Sequence, residues 1–350
     1  MPDNFSSVSE VVRKDQDLAG WRDAALRLET EINRVVLGQS APIRLLVIAV
    51  FSRGHVLLEG DVGVGKTTLL RSVARVIGGG YARIEGTIDL MPADLVYHTY
   101  VDEQGRPKVA PGPLLKHGES LSIFFFIEVN RARPQMHSLL LRVMAERSVS
   151  AFDREYHFPH LQVFADRNRV EREETFEIPA AARDRFLMEI EIKAPSDPET
   201  QRALMVETRF HDVDALLEGL PEGMVPFDRL NDIAARVQNH VRTSAVLERY
   251  ALDLCRATAD PHAYGVRLDD VDVEQFVRAG LSPRGTSMLL RAARVAAWLH
   301  GRDSVAPEDI HEVFRVTAGH RVFLAPVYEL RRAELMGPFL DQVLERVSAP

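Results

Sequence analysis

Residues 60–67 read Gly60-Asp61-Val62-Gly63-Val64-Gly65-Lys66-Thr67, and this stretch decides the fold. It matches the phosphate-binding loop pattern G-x-x-x-x-G-K-[ST]. Glycine lets successive backbone amides turn toward an anion, where a Cβ would block the approach. We expect Lys66 to reach the terminal phosphates and the Thr67 hydroxyl to bind Mg²⁺. The loop, together with Thr68, therefore predicts a nucleoside triphosphate site.

The sequence on either side of the loop fits this interpretation. Residues 55–59 are predicted to form a buried strand that leads into the loop. Residues 68–77 carry apolar side chains at helical spacing and predict the helix that follows it. This arrangement places a helix N-terminus, which attracts anions, against the phosphates.

The chain then alternates between strand-like and helix-like segments. Strands are predicted at 81–85, 122–127, 161–165 and 187–192, with a helix at 134–146. Alternation of this kind predicts an α/β fold with a parallel sheet flanked by helices. Residues 86–119 form an insertion with loops or a short hairpin, and residues 149–158 predict a second hairpin.

Two prolines and several charges near residues 193–198 predict a linker. Helical periodicity dominates beyond it, with no β-rich run after residue 195 and a longer final helix at 328–347. We therefore predict a flexible arm at 1–20, a nucleotide-binding domain at 21–194 and a small all-helical domain at 195–350.

Composition excludes several classes of protein. The net charge of −8 over 350 residues disfavours a general nucleic-acid binder, which needs a basic face. No apolar run is long enough to span a bilayer, and the polar start of the chain does not look like a secretory signal. The single cysteine, Cys255, fits a reducing compartment. We expect a soluble, cytoplasmic protein without direct membrane insertion.

A second acidic strand end is expected in a phosphate-loop ATPase. Residues 121–128 supply the apolar run and end in Glu128, which can act as a general base toward water. The preceding position normally carries an aspartate on the metal side, but here it is Ile127. The alternative for Glu128 is a solvated carboxylate at a strand end.

Polar residues also follow the next strand. Asn168 is a candidate to reach the γ-phosphate or the water, and Asp166 should share its face of the strand because side chains alternate. We hypothesise that Asp166 partly replaces the missing carboxylate. The alternative is a surface turn of alternating charge.

Two arginines are candidates to complete the site. Arg185 follows Asp184 and is a candidate finger for a neighbouring subunit's nucleotide. Arg284 lies in the first turn of a helix in the second domain, from where it can reach back to the triphosphate. Taken singly, an arginine at either position is more often a surface ion-pair partner, so both assignments rest on the joint pattern.

The order of these motifs resembles the MoxR family of AAA+ ATPases over roughly residues 25–325. The resemblance is carried by the phosphate loop and four later segments: Phe126–Ala132, Asn168, Thr175–Phe186 and Leu281–Arg284. It implies an AAA+ sheet followed by a helical lid, with ATP and Mg²⁺ as cofactors. It also implies that Asn168 is sensor 1, Arg185 the arginine finger, Arg284 sensor 2, and that Val36-Leu37-Gly38-Gln39 lies against the adenine.

The resemblance also implies partners. Within the family the chain is most similar to the MoxR proteins of methylotrophs, which are tied to the production of active methanol dehydrogenase. This implies a homo-oligomeric ring, expected to be a hexamer, that matures or activates a client complex. Metal insertion into methanol dehydrogenase and a von Willebrand factor A-domain partner are the finer expectations.

The departure at Ile127 bears on hydrolysis more than on binding. It predicts slow, weakly Mg²⁺-dependent turnover, and a faster rate in the Ile127→Asp variant unless another group already supplies the carboxylate. The alternative is a nucleotide-gated scaffold with little or no hydrolysis. A DNA-associated AAA+ protein is disfavoured by the acidic charge balance.

Overall fold

The computed structural model describes residues 17–168 and 175–350 of the chain. Within these residues, nine strands precede the predicted helical domain: β1 (His55–Glu59), β2 (Gly80–Glu85), β3 (Tyr97–Val101), β4 (Pro107–Pro111), β5 (Leu121–Ile127), β6 (Ser148–Ala151), β7 (Arg154–His157), β8 (Gln162–Arg167) and β9 (Phe186–Glu191). Five of them form one parallel sheet in the order β2-β5-β8-β1-β9. β8 therefore lies between the strand that enters the phosphate loop and the strand that immediately precedes Glu128.

Helices cover both faces of this sheet. They are α1 (Leu18–Val35), α2 (Ser40–Phe51), α3 (Lys66–Ile77), α4 (Pro92–Val96), α5 (Pro134–Glu146) and α6 (Ala180–Arg183). Apolar residues of α2 and α3 pack with the sheet face that carries Val56, Phe125 and Phe164. Apolar residues of α5 pack with the opposite face, which carries Leu57 and Phe126. The alternating burial confirms the predicted α/β architecture.

The two predicted hairpins are present. β3 pairs with β4 inside the predicted insertion, and β6 pairs with β7. Phe152 and Asp153 at the second turn have positive φ angles of 51° and 58°. The ring of Tyr97 in β3 lies 5.3 Å from that of Phe152, so the two hairpins touch each other.

The C-terminal part is helical apart from one short ribbon. Its helices are α7 (Pro198–Val206), α8 (Val213–Glu218), α9 (Leu230–His240), α10 (Ala245–Ala259), α11 (Pro283–Leu299), α12 (Pro307–Ala318), α13 (Pro326–Glu329) and α14 (Arg332–Arg346). The ribbon pairs β10 (Val277–Ala279) with β11 (Phe323–Leu324) in antiparallel fashion. Strands of three and two residues are too short to show an alternating pattern, which is why the sequence did not reveal them.

Several boundaries differ from the predicted ones. α3 begins at Lys66 rather than at Thr68, and the predicted final helix at 328–347 is divided between α13 and α14. Arg332, at the start of α14, donates to the carbonyl oxygens of Gly319 and Val322. These bonds attach the start of α14 to the segment between α12 and β11.

The predicted arm at 1–20 lies outside the described residues for its first sixteen positions, and Leu18 already belongs to α1. The domain division at residue 195 stays a prediction. Among the described helices, none has the length and apolar character needed to cross a membrane.

A buried histidine fixes the start of the strand that carries the phosphate loop. His55 Nδ1 accepts from the Val163 amide at 2.9 Å, and Nε2 lies 3.1 Å from the Met144 carbonyl oxygen. These two contacts require the neutral ring with its proton on Nε2. Burial, reinforced by the positive charge of Arg147, lowers the pKa of His55 from 6.5 to about 3. The folded state therefore contains the neutral form, while the unfolded chain protonates this ring below pH 6.5.

We expect His55 to make the fold acid-sensitive. Its contribution is fully present above pH 6.5 and is lost as the pH falls toward 3, by roughly 1.4 kcal/mol per pH unit over the middle of that range. Urea unfolding at pH 7, 6, 5 and 4 measures this slope, and His55→Gln should flatten it. His157→Gln, on the exposed β6–β7 hairpin, is the matched control and should leave the slope unchanged. Equal slopes in His55→Gln and the unsubstituted chain would contradict the assignment.

Candidate functional site

The phosphate loop connects β1 to α3 and presents the first turn of that helix. Gly65 is the N-cap of α3 and has a φ of 88°, a left-handed conformation that favours glycine. Gly60 is packed so closely that a Cβ there would lie 2.3 Å from the Ile192 carbonyl oxygen. The loop thus leaves the unpaired amides at the start of α3 directed at an anion site, as its sequence pattern predicts.

The Lys66 ammonium is held inside this loop. It donates to the Gly60 carbonyl oxygen at 2.6 Å and forms an ion pair with Asp166 Oδ2 at 3.1 Å. The two side chains are only 10% and 3% exposed, so the pair is shielded from water. Lys66 is therefore already placed beside the site expected for the phosphates.

Asp166 joins the loop to the end of β5. Its second oxygen, Oδ1, accepts from the Glu128 amide at 2.5 Å. Burial raises the pKa of the Asp166 carboxyl above its usual value, and the Glu128 amide and the Lys66 ammonium offset part of that rise. One carboxylate thus contacts both halves of the predicted site.

Glu128 follows β5 in a left-handed conformation with a φ of 50°. Its Oε2 atom accepts from Arg131 Nη1 at 2.9 Å. We did not predict this ion pair from the sequence. The sequence did contain a signal for it, because Glu128 and Arg131 are three positions apart and such residues face each other within one helical turn.

Ile127 contributes only hydrocarbon to the site. Its side chain is half-buried and packs with the apolar core on the α3 side of the sheet. The structure therefore places no metal-binding group at this position, in agreement with the sequence.

The oxygen donors of the site suit Mg²⁺. The Thr67 hydroxyl, the buried Asp166 carboxylate and Glu128 are hard oxygen ligands of the kind that Mg²⁺ takes together with phosphate oxygens. Asp166 is 2% exposed and lies beside the phosphate loop, so one carboxylate is already desolvated where the ion is needed. The residues present fit the ion that the family implies.

The remaining predicted residues lie around this centre. Asn168 follows β8 and is buried, two positions beyond Asp166 as expected. Arg185 Nη1 donates to the Ala181 carbonyl oxygen at 2.9 Å. Gln39 is buried and donates to the Lys193 carbonyl oxygen at 2.6 Å, while Gly38 lies beside Pro195. The segment predicted to lie against the adenine therefore contacts the start of the linker.

Arg284 is paired with Asp184, which follows α6. Its Nη1 atom donates to Asp184 Oδ2 at 2.6 Å, and Ser282 Oγ donates to Asp184 Oδ1 at 2.7 Å. The expected reach toward the triphosphate is thus replaced here by an ion pair with the residue that precedes Arg185.

Arg321 is a further participant that sequence reasoning missed. It is almost fully buried, and its guanidinium donates to Asp184 Oδ1 at 3.3 Å and to the carbonyl oxygens of Phe186, Leu187 and Thr317. Burial lowers the pKa of Arg321 to about 10. Nothing in its sequence context distinguishes it from a surface arginine, because its partners are distant along the chain.

One group of side chains in the lid has metal-ligand composition, namely His300, Asp309 and Glu312. Its carboxylates already face cations, since Asp309 pairs with Arg302 and Glu312 lies 3.5 Å from Arg44. The cluster is therefore explained as an ion-pair network.

Comparison with known proteins decides the family. Residues 55–188 match the ATPase family associated with various cellular activities (AAA), and residues 270–339 match an AAA lid domain. Protein MoxR of Methylorubrum extorquens is 58% identical over 336 residues, which span 96% of this chain and 98% of that protein. Protein MoxR of Paracoccus denitrificans is 53% identical over 96% of this chain and 99% of its own length.

The chain belongs to the MoxR family of AAA+ ATPases. Chaperone MoxR1 of Mycobacterium tuberculosis is a more distant relative, 34% identical over 91% of this chain and 81% of its own. A crystal structure of a candidate ATPase from Cytophaga hutchinsonii superimposes with a TM-score of 0.81 at 29% identity, over 95% of this chain and 97% of that one. These similarities confirm the predicted family and fold, including the likeness to the MoxR proteins of methylotrophs. The roles of individual residues in this MoxR-family chain stay predictions.

We expect Gly60→Ala to weaken nucleotide binding at least about tenfold, because the added Cβ collides with the Ile192 backbone and displaces the loop. Titration with a fluorescent ATP analogue measures the effect. Gly337→Ala is the matched control, since Gly337 lies in α14, has no positive φ, and a Cβ there meets open space. Unchanged affinity in Gly60→Ala would contradict the loop's role.

Proposed function

We propose that this chain binds ATP with Mg²⁺, hydrolyses it, and uses the cycle to mature or activate a client protein complex. The observation that carries the proposal is the continuous linkage from Lys66 through Asp166 to the Glu128 amide, at 3.1 and 2.5 Å. It joins the phosphate loop to the acidic strand end, as an ATPase requires. The proposed reaction is ATP + H₂O to ADP + phosphate.

Each residue has a proposed part in this reaction. The loop amides and Lys66 bind the phosphates. Thr67 would hold Mg²⁺, which would supply positive charge against the transferred group. Glu128 accepts a proton from the attacking water. Asn168 orients that water or the γ-phosphate, and its burial at the strand end suits this part.

The lid is proposed to move with the nucleotide. Arg284 is bound to Asp184 at 2.6 Å, and the phosphates of ATP are a stronger anionic partner for a guanidinium. Arg321 keeps its own bonds to Asp184 and to the β9 backbone, which leaves the lid anchored while Arg284 changes partner. Such a change would close the lid in the ATP state and reopen it after hydrolysis.

The assembly is proposed to be a ring, with a hexamer as the expected size. Arg185 lies at the surface turn after α6, where it can serve the nucleotide of a neighbouring subunit. The two touching hairpins are the segments proposed to act on the client. Relatives named Protein MoxR and Chaperone MoxR1 support a chaperone-like process. Methanol dehydrogenase, metal insertion and a von Willebrand factor A-domain partner are the finer parts of this proposal.

A nucleotide-gated scaffold is the second candidate function. Ile127 favours it, because the position that usually holds the metal carries a side chain without a polar atom. Such a protein would bind ATP and change its assembly while releasing little phosphate. Binding and phosphate release measured side by side separate the two candidates.

We expect Glu128→Gln to lower phosphate release roughly 100-fold or more, because the amide cannot accept the proton from water. Nucleotide affinity should stay within a few-fold of the unsubstituted chain. Glu119→Gln, an exposed carboxylate before β5, is the control and should retain full turnover. If the unsubstituted chain binds ATP without releasing phosphate, the scaffold function replaces the ATPase.

Subunit mixing tests the ring and the finger together. Arg185→Ala and Glu128→Gln rings should each be inactive, but equal mixing should restore activity at about a quarter of the interfaces, where an intact Glu128 meets a neighbour's intact Arg185. Phosphate release after mixing is the measurement. Absence of any recovery, with mixed rings verified by native mass spectrometry, would show that Arg185 does not act across subunits.

A further inference from the structure

The sheet places Asp166 directly beside Ile127. Phe126 of β5 lies opposite Ala165 of β8, so the next residues along these parallel strands are neighbours. Neighbouring strands in a sheet are about 4.8 Å apart. Because β8 lies between β5 and β1, Asp166 is one strand nearer to the phosphate loop than Ile127 is.

Both side chains also point to the same face. Phe125 and Ile127 belong to the apolar core on the α3 side, and so does Phe164. Side chains alternate along a strand, so Asp166 shares that face with Phe164. Its carboxylate therefore occupies the face and the level at which Ile127 offers only hydrocarbon.

The contacts of Asp166 are those of a site residue rather than of a solvated turn. The residue is 2% exposed, and its two oxygens are shared between the Lys66 ammonium and the Glu128 amide. A buried carboxylate needs such partners, since removal from water is otherwise costly. Only one of them, Lys66, is a side chain that the phosphates would attract away.

We propose that Asp166 supplies the metal-side carboxylate that Ile127 lacks, moved by one strand toward the phosphate loop. The inference rests on the proposed ATPase function. The carboxylate neutralises Lys66 through the 3.1 Å ion pair. When a triphosphate engages Lys66, that oxygen becomes available to Mg²⁺ or to its bound water, while the other oxygen keeps the Glu128 backbone in place.

Mn²⁺ binding followed by electron paramagnetic resonance tests this without turnover. Mn²⁺ is titrated into the full chain saturated with a non-hydrolysable ATP analogue. Asp166→Asn keeps the shape of the side chain and should weaken Mn²⁺ binding about 10- to 100-fold. Glu189→Gln is the matched control, because Glu189 is a carboxylate of the same sheet that pairs with Arg167, and it should leave Mn²⁺ affinity unchanged. Thermal melting verifies that each variant is folded.

Moving the carboxylate from position 166 to position 127 provides a second test. The double variant Ile127→Asp with Asp166→Asn should recover at least tenfold of the lost Mn²⁺ affinity, because the carboxylate returns to the neighbouring strand on the same face. Ile127→Asp alone should give no faster turnover, since Asp166 already fills the role. An unchanged rate is the alternative that the sequence analysis named for a site where another group already supplies the carboxylate.

The outcomes separate the inference from the proposed function. Unchanged Mn²⁺ affinity in Asp166→Asn overturns the inference, and so does an equal loss of nucleotide affinity with and without metal, which would mean that Asp166 only positions Lys66. The expected Mn²⁺ losses without phosphate release from the unsubstituted chain would support the inference and overturn the ATPase. Absence of Mn²⁺ binding by the unsubstituted chain with the analogue would overturn both.

Discussion

The buried ion pair between Lys66 and Asp166 is the interaction on which the nucleotide site depends. It lies where three parallel strands end together, and the same carboxylate also accepts from the Glu128 amide. A lysine and an aspartate removed from water tolerate burial only as partners. Each therefore fixes the other, and together they fix the relation between the phosphate loop and the acidic strand end.

A second acidic residue organises the contact between the nucleotide-binding part and the lid. Asp184 accepts from Ser282, Arg284 and Arg321, and it directly precedes Arg185. Three lid donors thus converge on the turn that carries the proposed finger. If Arg284 released Asp184 to bind the nucleotide, the turn that carries Arg185 would lose one of its hydrogen bonds. Nucleotide binding could thereby change the position of the proposed finger at the subunit interface.

The inserted hairpins form the other distinctive surface. Most residues of β3, β4 and β7 are exposed, and apolar side chains remain in water on these hairpins, notably Val101, Val109 and Phe152. The contact of Tyr97 with Phe152 links the two hairpins, although they are separated by the whole of β5 and α5 in the chain. The two hairpins therefore form one continuous surface.

The sequence by itself determined the family, the α/β sheet, the second hairpin and the identity of the phosphate loop, and it offered the first hairpin as one of two alternatives. These features depend on local patterns: glycine spacing, apolar periodicity and the residues at strand ends. These patterns did not reveal the β10–β11 ribbon, because strands of three and two residues are too short to show an alternation of apolar and polar residues. The substitution at Ile127 was also visible, and so was Asp166 as a possible replacement.

Only the tertiary structure decided how the charged residues are paired. Lys66 meets Asp166 across 100 positions of chain, and Arg321 meets Asp184 across 137. A carboxylate in a sequence has no preferred cation, because its partner is chosen by strand order and burial. The order β5-β8-β1 puts Asp166 between the loop and Glu128, and that placement cannot be read from any local segment.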